Sequence, residues 1–130
     1  MIFYQGKNIQ VSWDDMIKSV ILQVERYVEG EEFRKAADST VRLLERRTAC
    51  KLLTNSREMR ALPQEDQRWV DEDWRPRAIA VGLRYNAIVT PKSSIAQMTV
   101  DSLANKLPPG VVEFAYFSDI EEAKAWLHSK

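Results

Sequence analysis

Three short apolar runs, separated from one another by segments of helical periodicity, constrain the fold of this chain most strongly. They cover residues 50–54, 85–90 and 111–117. Runs this short do not form stable isolated helices, and continuous apolar runs are typical of strands inside a parallel sheet. Because parallel strands need long crossover connections, the alternation predicts an α/β fold with helices covering the sheet.

The N-terminal part of the chain has the two-residue period of strands with one exposed face. Residues 8–13 alternate polar and apolar side chains, and residues 18–27 resume a strand-like run. These two segments predict an antiparallel hairpin. Together with the three apolar runs, the hairpin gives a mixed five-stranded sheet and the element order ββαβαβαβα. The chain has no internal repeat or linker, which predicts one layered domain over residues 1–130.

The first two helices are predicted from the spacing of apolar residues. The apolar face of the first helix consists of Phe33, Ala37, Thr40, Val41, Leu44 and Thr48. The second helix extends over residues 63–82 and contains Pro76. Because proline lacks the N–H donor and clashes with the preceding turn, we expect a kink or break near Arg75.

The last two helices are predicted mainly from their ends. Residues 93–98 indicate about one helical turn, after which Thr99 caps a short helix. The apolar face of that short helix consists of Val100, Leu103, Ala104 and Leu107, and the segment Pro108-Pro109-Gly110 ends it. Ser118 and Glu121 form a capping box for the final helix.

Composition limits the classes of function that the sequence can support. The chain of 130 residues has 19 basic and 19 acidic side chains, so its net charge gives no electrostatic reason to bind nucleic acid. The single cysteine, Cys50, cannot form an internal disulfide. Neither a membrane-length apolar run nor a basic signal-peptide start is present. These features predict a cytoplasmic protein with no membrane span and no nucleic-acid partner.

The residue types that usually carry catalysis are sparse. The single histidine, His128, lies two residues from the C-terminus, and Cys50 begins a strand that is predicted to be buried. The four glycines are isolated from one another, which excludes the common phosphate-binding loops. The acidic residues of the segment 65–73 lie beside Arg68 and Arg75, a pattern typical of a solvated helix face. We therefore predict no enzyme activity, no cofactor and no metal site.

Two parts of the chain carry a resemblance to a known family. The tail EFAYFSDIEEAKAWL, residues 113–127, resembles the closing strand and helix of bacterial SpoIIAA-like proteins. Residues 66–77 and 82–89 are similar to a subset of that group, in which a Trp-rich helix with an internal proline leads into the next strand. The resemblance implies a STAS-like fold, a mixed sheet with helices packed against it. It also implies an architectural relation to anti-sigma-factor antagonists and to CRAL-TRIO lipid carriers.

The chain departs from that family where antagonists of anti-sigma factors are phosphorylated. Those proteins carry an Asp-Ser-Ser-Gly turn after the third strand, whereas residues 61–65 read ALPQE here and contain no hydroxyl. The nearest serine, Ser56, lies earlier in the predicted loop, and Asn55 stands where the group often has aspartate. The resemblance therefore implies the fold without the phosphorylation switch.

We expect a non-catalytic STAS-like interaction module that binds a protein partner or a second copy of itself, as in a homodimer. The candidate interaction surface consists of Trp74, Arg75, Arg77, Asn55 and Ser56. An aromatic residue flanked by arginines is the composition enriched at interface hot spots. Trp74 is accordingly predicted to be partly exposed, whereas Trp13, Trp69 and Trp126 are expected in the core.

Two other functions use the same region of the chain. Trp69 and Trp74 are five positions apart, so on an α-helix their side chains point about 140° away from each other. One ring should face the core and the other a surface, a groove or a partner. A pocket between helix and sheet would make the protein a carrier of a small apolar ligand or lipid. A third interpretation, an acid/base enzyme using Glu65 or Asp66 with Arg77, lacks an accompanying base or nucleophile.

Overall fold

The computed structural model describes residues 1–105 and 110–130. The elements, in chain order, are β1 (Ile2–Gln5), β2 (Ile9–Asp14), β3 (Ser19–Tyr27), α1 (Gly30–Arg47), β4 (Lys51–Ala61), α2 (Gln64–Trp69), a π-helical turn (Val70–Trp74), α3 (Arg75–Ala80), β5 (Tyr85–Val89), α4 (Ser94–Asn105), β6 (Glu113–Phe117) and α5 (Ile120–His128). The predicted α/β class is confirmed. Within the described residues, none of the helices is both long and apolar enough to cross a bilayer.

The strands form one mixed sheet and follow one another across it in chain order. β1, β2 and β3 pair antiparallel, which confirms the predicted hairpin, with Val11 opposite Leu22. β3, β4, β5 and β6 pair parallel, as the short apolar runs predicted. The sheet has six strands, so the predicted number of five is wrong. The additional strand, β1, is a short edge strand that takes its register from β2 and shows no alternation of its own.

Helices cover the two faces of the sheet unequally. The connections from β3 to β6 all advance in the same direction across the sheet, so crossovers of one hand put α1, α2, α3 and α4 on one face. α5 follows the last strand and covers the other face, where Ala123 and Leu127 are buried against Leu53 and Ala87. The larger of the two cores lies under the helical connections.

The fourth strand, β4, extends through residues that the sequence predicted to form a loop. Beyond Asn55, which pairs with Val89 of β5, it continues beside β3 as far as Ala61. Asn55 and Ser56 therefore lie inside a strand, and the prediction of a loop at this point is wrong. The polar run NSRE is typical of a turn, whereas here Asn55 and Glu58 pair with residues of β3, with a register irregularity between the two pairs.

A π-helical turn lies directly before Arg75, where the sequence predicts a kink or break, and the backbone stays helical through it. α2 passes directly into Val70–Trp74, and α3 begins at Arg75 with Pro76 in its first turn. A π-helical turn moves the backbone hydrogen bond from the fourth to the fifth preceding residue, and it changes the direction in which the following side chains point.

The ends of the last two helices differ from the predicted ones. α4 is one helix that contains Thr99, so the predicted second start at Thr99 is wrong. The predicted apolar position Leu107 and the predicted helix end at Pro108 lie outside the described residues. α5 is capped by Asp119, which accepts from a backbone N–H of the first turn, instead of by Ser118.

Candidate functional site

Trp74 lies inside the protein. It is 8% exposed, and its indole Nε1 donates to the backbone oxygen of Ala37 at 2.7 Å and to the Thr40 hydroxyl at 3.2 Å. The prediction of a partly exposed Trp74 is therefore wrong. The π-helical turn alters the angle between Trp69 and Trp74, and acceptors on α1 satisfy the indole N–H within the core.

Arg75 is also buried, with 7% of its surface exposed. Its Nη1 donates to Asp71 Oδ1 at 3.0 Å, and its Nη2 donates to the backbone oxygen of Leu103 at 2.7 Å. Burial lowers the pKa of the Arg75 guanidinium, and the negative charge of Asp71 opposes that shift. Arg75 thus ties the π-helical turn and α3 to α4.

The other three residues of the predicted surface point in different directions. Arg77 is partly exposed and donates to Asp38 at 2.7 Å and to Asp73 at 2.8 Å, and the hydrogen bond to Asp38 raises the pKa of Arg77. Ser56 is 1% exposed and donates to a backbone oxygen of β5 at 2.7 Å. Its neighbour Asn55 faces the opposite side of the sheet. The five predicted residues therefore do not form one surface.

Trp74, Arg75 and Ser56 instead line one cavity of about 110 Å³ between the sheet and the helices of the larger core. Side chains of β3, β4 and β5 that alternate toward the helices form its floor, and α1, the π-helical turn and α4 supply its walls. The lining is mainly apolar and includes Leu22, Val24, Phe33, Leu52, Ile88 and Val100. We call this space the helix-face cavity.

Two polar residues lie side by side in the lining of the helix-face cavity. Thr54 of β4 donates through Oγ1 to Asn86 Oδ1 of β5 at 2.9 Å. The other amide atom, Asn86 Nδ2, has no hydrogen-bond partner among the residues that the structure describes. The pairing of these two residues was not predicted from the sequence. The available signal was an asparagine within the apolar run 85–90, at a position that faces a core.

Trp69 occupies the partly exposed position that the sequence predicts for Trp74. Phe33 meets its ring edge-on, with 6.1 Å between centroids. The guanidinium carbons of Arg34 and Arg77 lie 5.3 and 5.7 Å from the centroid of the same ring. We call Trp69, Arg34 and Arg77 the Trp69 stack.

Asp66, a candidate acid or base in the sequence, has a structural role. It is 3% exposed, and its carboxylate accepts from the backbone N–H of Gly30 at 2.9 Å and from Arg34 Nε at 3.2 Å. The residue before α1, Glu29, makes no side-chain cap. Asp66 therefore caps α1 from α2 and lies outside the lining of the helix-face cavity.

Groups suited to metal binding or nucleophilic catalysis are scattered. Within residues 1–105 and 110–130, no three histidine, cysteine, aspartate or glutamate side chains cluster in a way that could hold a metal ion. His128 is exposed at the end of α5, and Cys50 is half-buried before β4. The polar chemistry of the helix-face cavity consists of hydroxyl, amide and guanidinium groups.

No family model matches the chain, and no curated protein or solved structure matches it either. The resemblance to SpoIIAA-like proteins therefore depends on the sequence segments alone. The geometry of the helix-face cavity and of the Trp69 stack is the basis on which a function can be argued.

Proposed function

We propose that this protein is a non-catalytic binding module of STAS-like fold that holds a small apolar ligand in the helix-face cavity. The observation that carries the proposal is the cavity itself, an apolar space of about 110 Å³ within the larger core. The mixed sheet with helices against it is compatible with the fold that the resemblance implies. A cytoplasmic location is part of the proposal, since a chain with one cysteine needs no oxidising compartment.

The size of the cavity limits the size of the ligand. Protein interiors are packed as densely as organic crystals and contain few voids larger than a water molecule. A volume of about 110 Å³ exceeds the roughly 10–15 Å³ that a cavity needs to hold one water molecule, and it is below the roughly 150 Å³ of a cavity that binds benzene. The proposed ligand therefore has at most about six non-hydrogen atoms, the number in benzene, and a whole lipid is too large for this space.

The groups around the cavity support binding rather than catalysis. Thr54, Ser56, Asn86 and Thr99 do not ionise near neutral pH, and the Arg75 guanidinium is held by two hydrogen bonds. A general acid or base needs a pKa near the working pH. Among the lining side chains that the structure describes, none has that property.

Xenon is a suitable first probe, because it enters apolar cavities without any specific chemistry. We expect saturable NMR shifts in the methyl groups of Leu22 and Ala37, which line the cavity, and none in Leu127 on the other face. Ala37→Leu should fill the cavity and abolish the response. The matched control Ala125→Leu, at an exposed position of α5, should leave it unchanged. Equal shifts on both faces, or no saturable shift, would contradict the proposal.

A second candidate, the binding of a protein partner or of a second copy, is favoured by the Trp69 stack. Trp69 is partly exposed, and the side chains of Arg34 and Arg77 are 37% and 41% exposed. Tryptophan and arginine are enriched among interface hot spots. Of the surface proposed from the sequence, Arg77 belongs to this stack, whereas the burial of Trp74 and Arg75 removes them from it.

Native mass spectrometry of protein purified gently from its source cell separates the two candidates. If the Trp69 stack is an interface, Trp69→Ala should weaken the dimer or the captured partner by about thirtyfold, which corresponds to about 2 kcal/mol. The control Trp126→Ala removes another half-buried indole and should leave the assembly intact. A monomer carrying a small molecule would favour the cavity, and equal weakening by both variants would contradict an interface at Trp69.

A further inference from the structure

Asn86 presents a hydrogen-bond donor that the described part of the protein does not use. The residue is 8% exposed and lies on β5, between β4 and β6. Its Oδ1 accepts from Thr54, whereas its Nδ2 has no partner among the described residues. In those residues, every side-chain nitrogen or oxygen that is closed off from open space has a partner. Nδ2 must therefore border open space, and the open space beside Asn86 is the helix-face cavity.

Asn86 is a polar residue on an apolar face of the sheet. Its neighbours on the same face of the sheet, Leu52 and Ile88, are apolar, whereas Asn86 brings an amide N–H that no described residue accepts. Buried polar side chains in folded proteins are nearly always hydrogen-bonded, because an unpaired donor has lost its hydration without compensation. A ligand that supplies an acceptor removes this cost.

We infer that the ligand of the helix-face cavity is a small neutral molecule with one carbonyl or hydroxyl oxygen, which accepts a hydrogen bond from Asn86 Nδ2. The inference rests on the proposed function and adds the chemical class of the ligand. The apolar part of the ligand packs against Leu22, Ile88 and Val100. The hydrogen bond from Thr54 to Asn86 Oδ1 fixes the orientation of the Asn86 amide and leaves Nδ2 free to donate to a ligand.

Charge balance favours a neutral ligand over an acidic one. Arg75 is the only charged residue among the described residues that line the cavity. It already donates to the Asp71 carboxylate at 3.0 Å and to the backbone oxygen of Leu103 at 2.7 Å. A buried anion needs an opposite charge to offset its lost hydration. A carboxylate ligand would therefore bring one uncompensated negative charge into the core.

Cyclopentanone and cyclopentane test the inference, because the two rings have similar size and differ in one oxygen. NMR titration gives an affinity for each ring, and the ratio of the two affinities separates the oxygen from apolar burial. In Asn86→Leu, we expect the ratio of cyclopentanone to cyclopentane affinity to fall about tenfold. In the wild-type chain, cyclopentanone should shift the side-chain amide resonance of Asn86 and cyclopentane should not.

A second variant keeps the test valid if Asn86→Leu folds poorly. That substitution leaves the Thr54 hydroxyl without its acceptor, so the double variant Thr54→Val/Asn86→Leu removes both partners together. It should show the same fall in the affinity ratio. The matched control is Ser56→Ala, since Ser56 also lines the cavity but already donates to a backbone oxygen. The control should leave the ratio unchanged.

The outcomes distinguish this inference from the proposed function. If both rings bind and the variants leave the affinity ratio unchanged, the inference is overturned and the apolar binding site stands. If neither ring binds to the wild-type chain but xenon does, the inference is overturned and the apolar site stands; if xenon does not bind either, both proposals are overturned. Butyrate serves as an anionic probe of similar size, and tighter binding of butyrate than of cyclopentanone would overturn the neutral class of ligand.

Discussion

The two faces of the sheet differ in how closely their helices pack. The fully buried residues on the α5 face are Leu53, Ala87, Val89, Ala123 and Leu127. Two of them are alanines, whose small side chains allow α5 to approach the sheet closely. On the other face, larger side chains from the sheet, α1, the π-helical turn and α4 surround a cavity of about 110 Å³. The open space therefore belongs to one face and does not reflect loose packing of the whole domain.

A hydrogen-bonded pair of polar side chains on the central strands also lies on only one of the two faces, the face that carries the helix-face cavity. Thr54 and Asn86 point toward the helix-face cavity, while their strand neighbours Leu53 and Ala87 point toward α5. The same two strands thus supply an apolar core to one side and an amide and a hydroxyl to the other. A sheet that served only stability would be apolar on both of its faces, as most buried parallel sheets are.

The largest effect on stability should follow from deleting α5, the helix that covers one face of the sheet. Deleting residues 118–130 exposes Leu53 and Val89 and abolishes the burial of Leu127. Each large apolar side chain contributes about 1.5–3 kcal/mol, so the loss is comparable to the stability of a small domain, about 5–15 kcal/mol. We expect the truncated chain to lose its cooperative urea transition. A melting temperature within a few degrees of that of the full chain would show that the helix-face core is sufficient.

Trp74→Ala tests the core of the opposite face. It removes a buried indole together with its hydrogen bonds to Ala37 and Thr40, and we expect a loss of about 3–5 kcal/mol in the free energy of unfolding. Trp126→Ala, a half-buried position on the α5 face, should cost about 1–2 kcal/mol by the same urea measurement. If Trp126→Ala were the more destabilising of the two, the assignment of Trp74 to the core would be wrong.

The same substitution in each face should have different effects. Ala37 and Ala123 are both buried helical alanines, but Ala37 borders the helix-face cavity and Ala123 lies in the closely packed α5 face. Ala123→Leu should reduce the free energy of unfolding by about 1–3 kcal/mol through overpacking. Ala37→Leu should change it by less than about 1 kcal/mol, because the added carbons enter existing space. Thermal and urea unfolding of both variants measure the contrast, and equal destabilisation would argue against an open cavity.

The smallest expected effect is a pH dependence of the free energy of unfolding, which arises from Tyr116 of β6. Burial raises the pKa of the Tyr116 phenol, and the Asp101 carboxylate raises it further. The folded state therefore favours the neutral phenol. The stability this provides is fully present below the unfolded pKa of about 10 and is lost as the pH rises through the folded pKa.

Comparison of the wild-type chain with Tyr116→Phe isolates this contribution. The difference in their free energies of unfolding should be constant up to about pH 9 and should change in favour of the variant above about pH 10. Urea titrations at a series of pH values measure it. A difference that stays constant to about pH 11 would mean that the phenol titrates alike in both states.

The sequence by itself determined most of the segments that form strands and helices, although not the edge strand β1 or the length of β4. The period-two pattern of residues 8–13 and 18–27 predicted the β2–β3 hairpin, and the helical spacing after Gly30 predicted α1. Pro76 indicated an irregularity near Arg75, where a π-helical turn passes into α3. These features are local, because periodicity and a missing N–H donor act through neighbours in the chain.

Only the tertiary structure decided how these elements pair, cap and pack against one another. The length of β4 depends on pairing with β3, and the cap of α1 comes from Asp66, 36 positions after the N–H that it accepts from. Trp74 is buried with Val70 and Ala78, and acceptors on the distant helix α1 satisfy its indole N–H. Thr54 and Asn86 meet across 32 positions, and the helix-face cavity exists because side chains from several elements surround a space that none of them contains. Such a site depends on packing between distant segments, and the asparagine within residues 85–90 is a local signal that does not reveal which residues surround it.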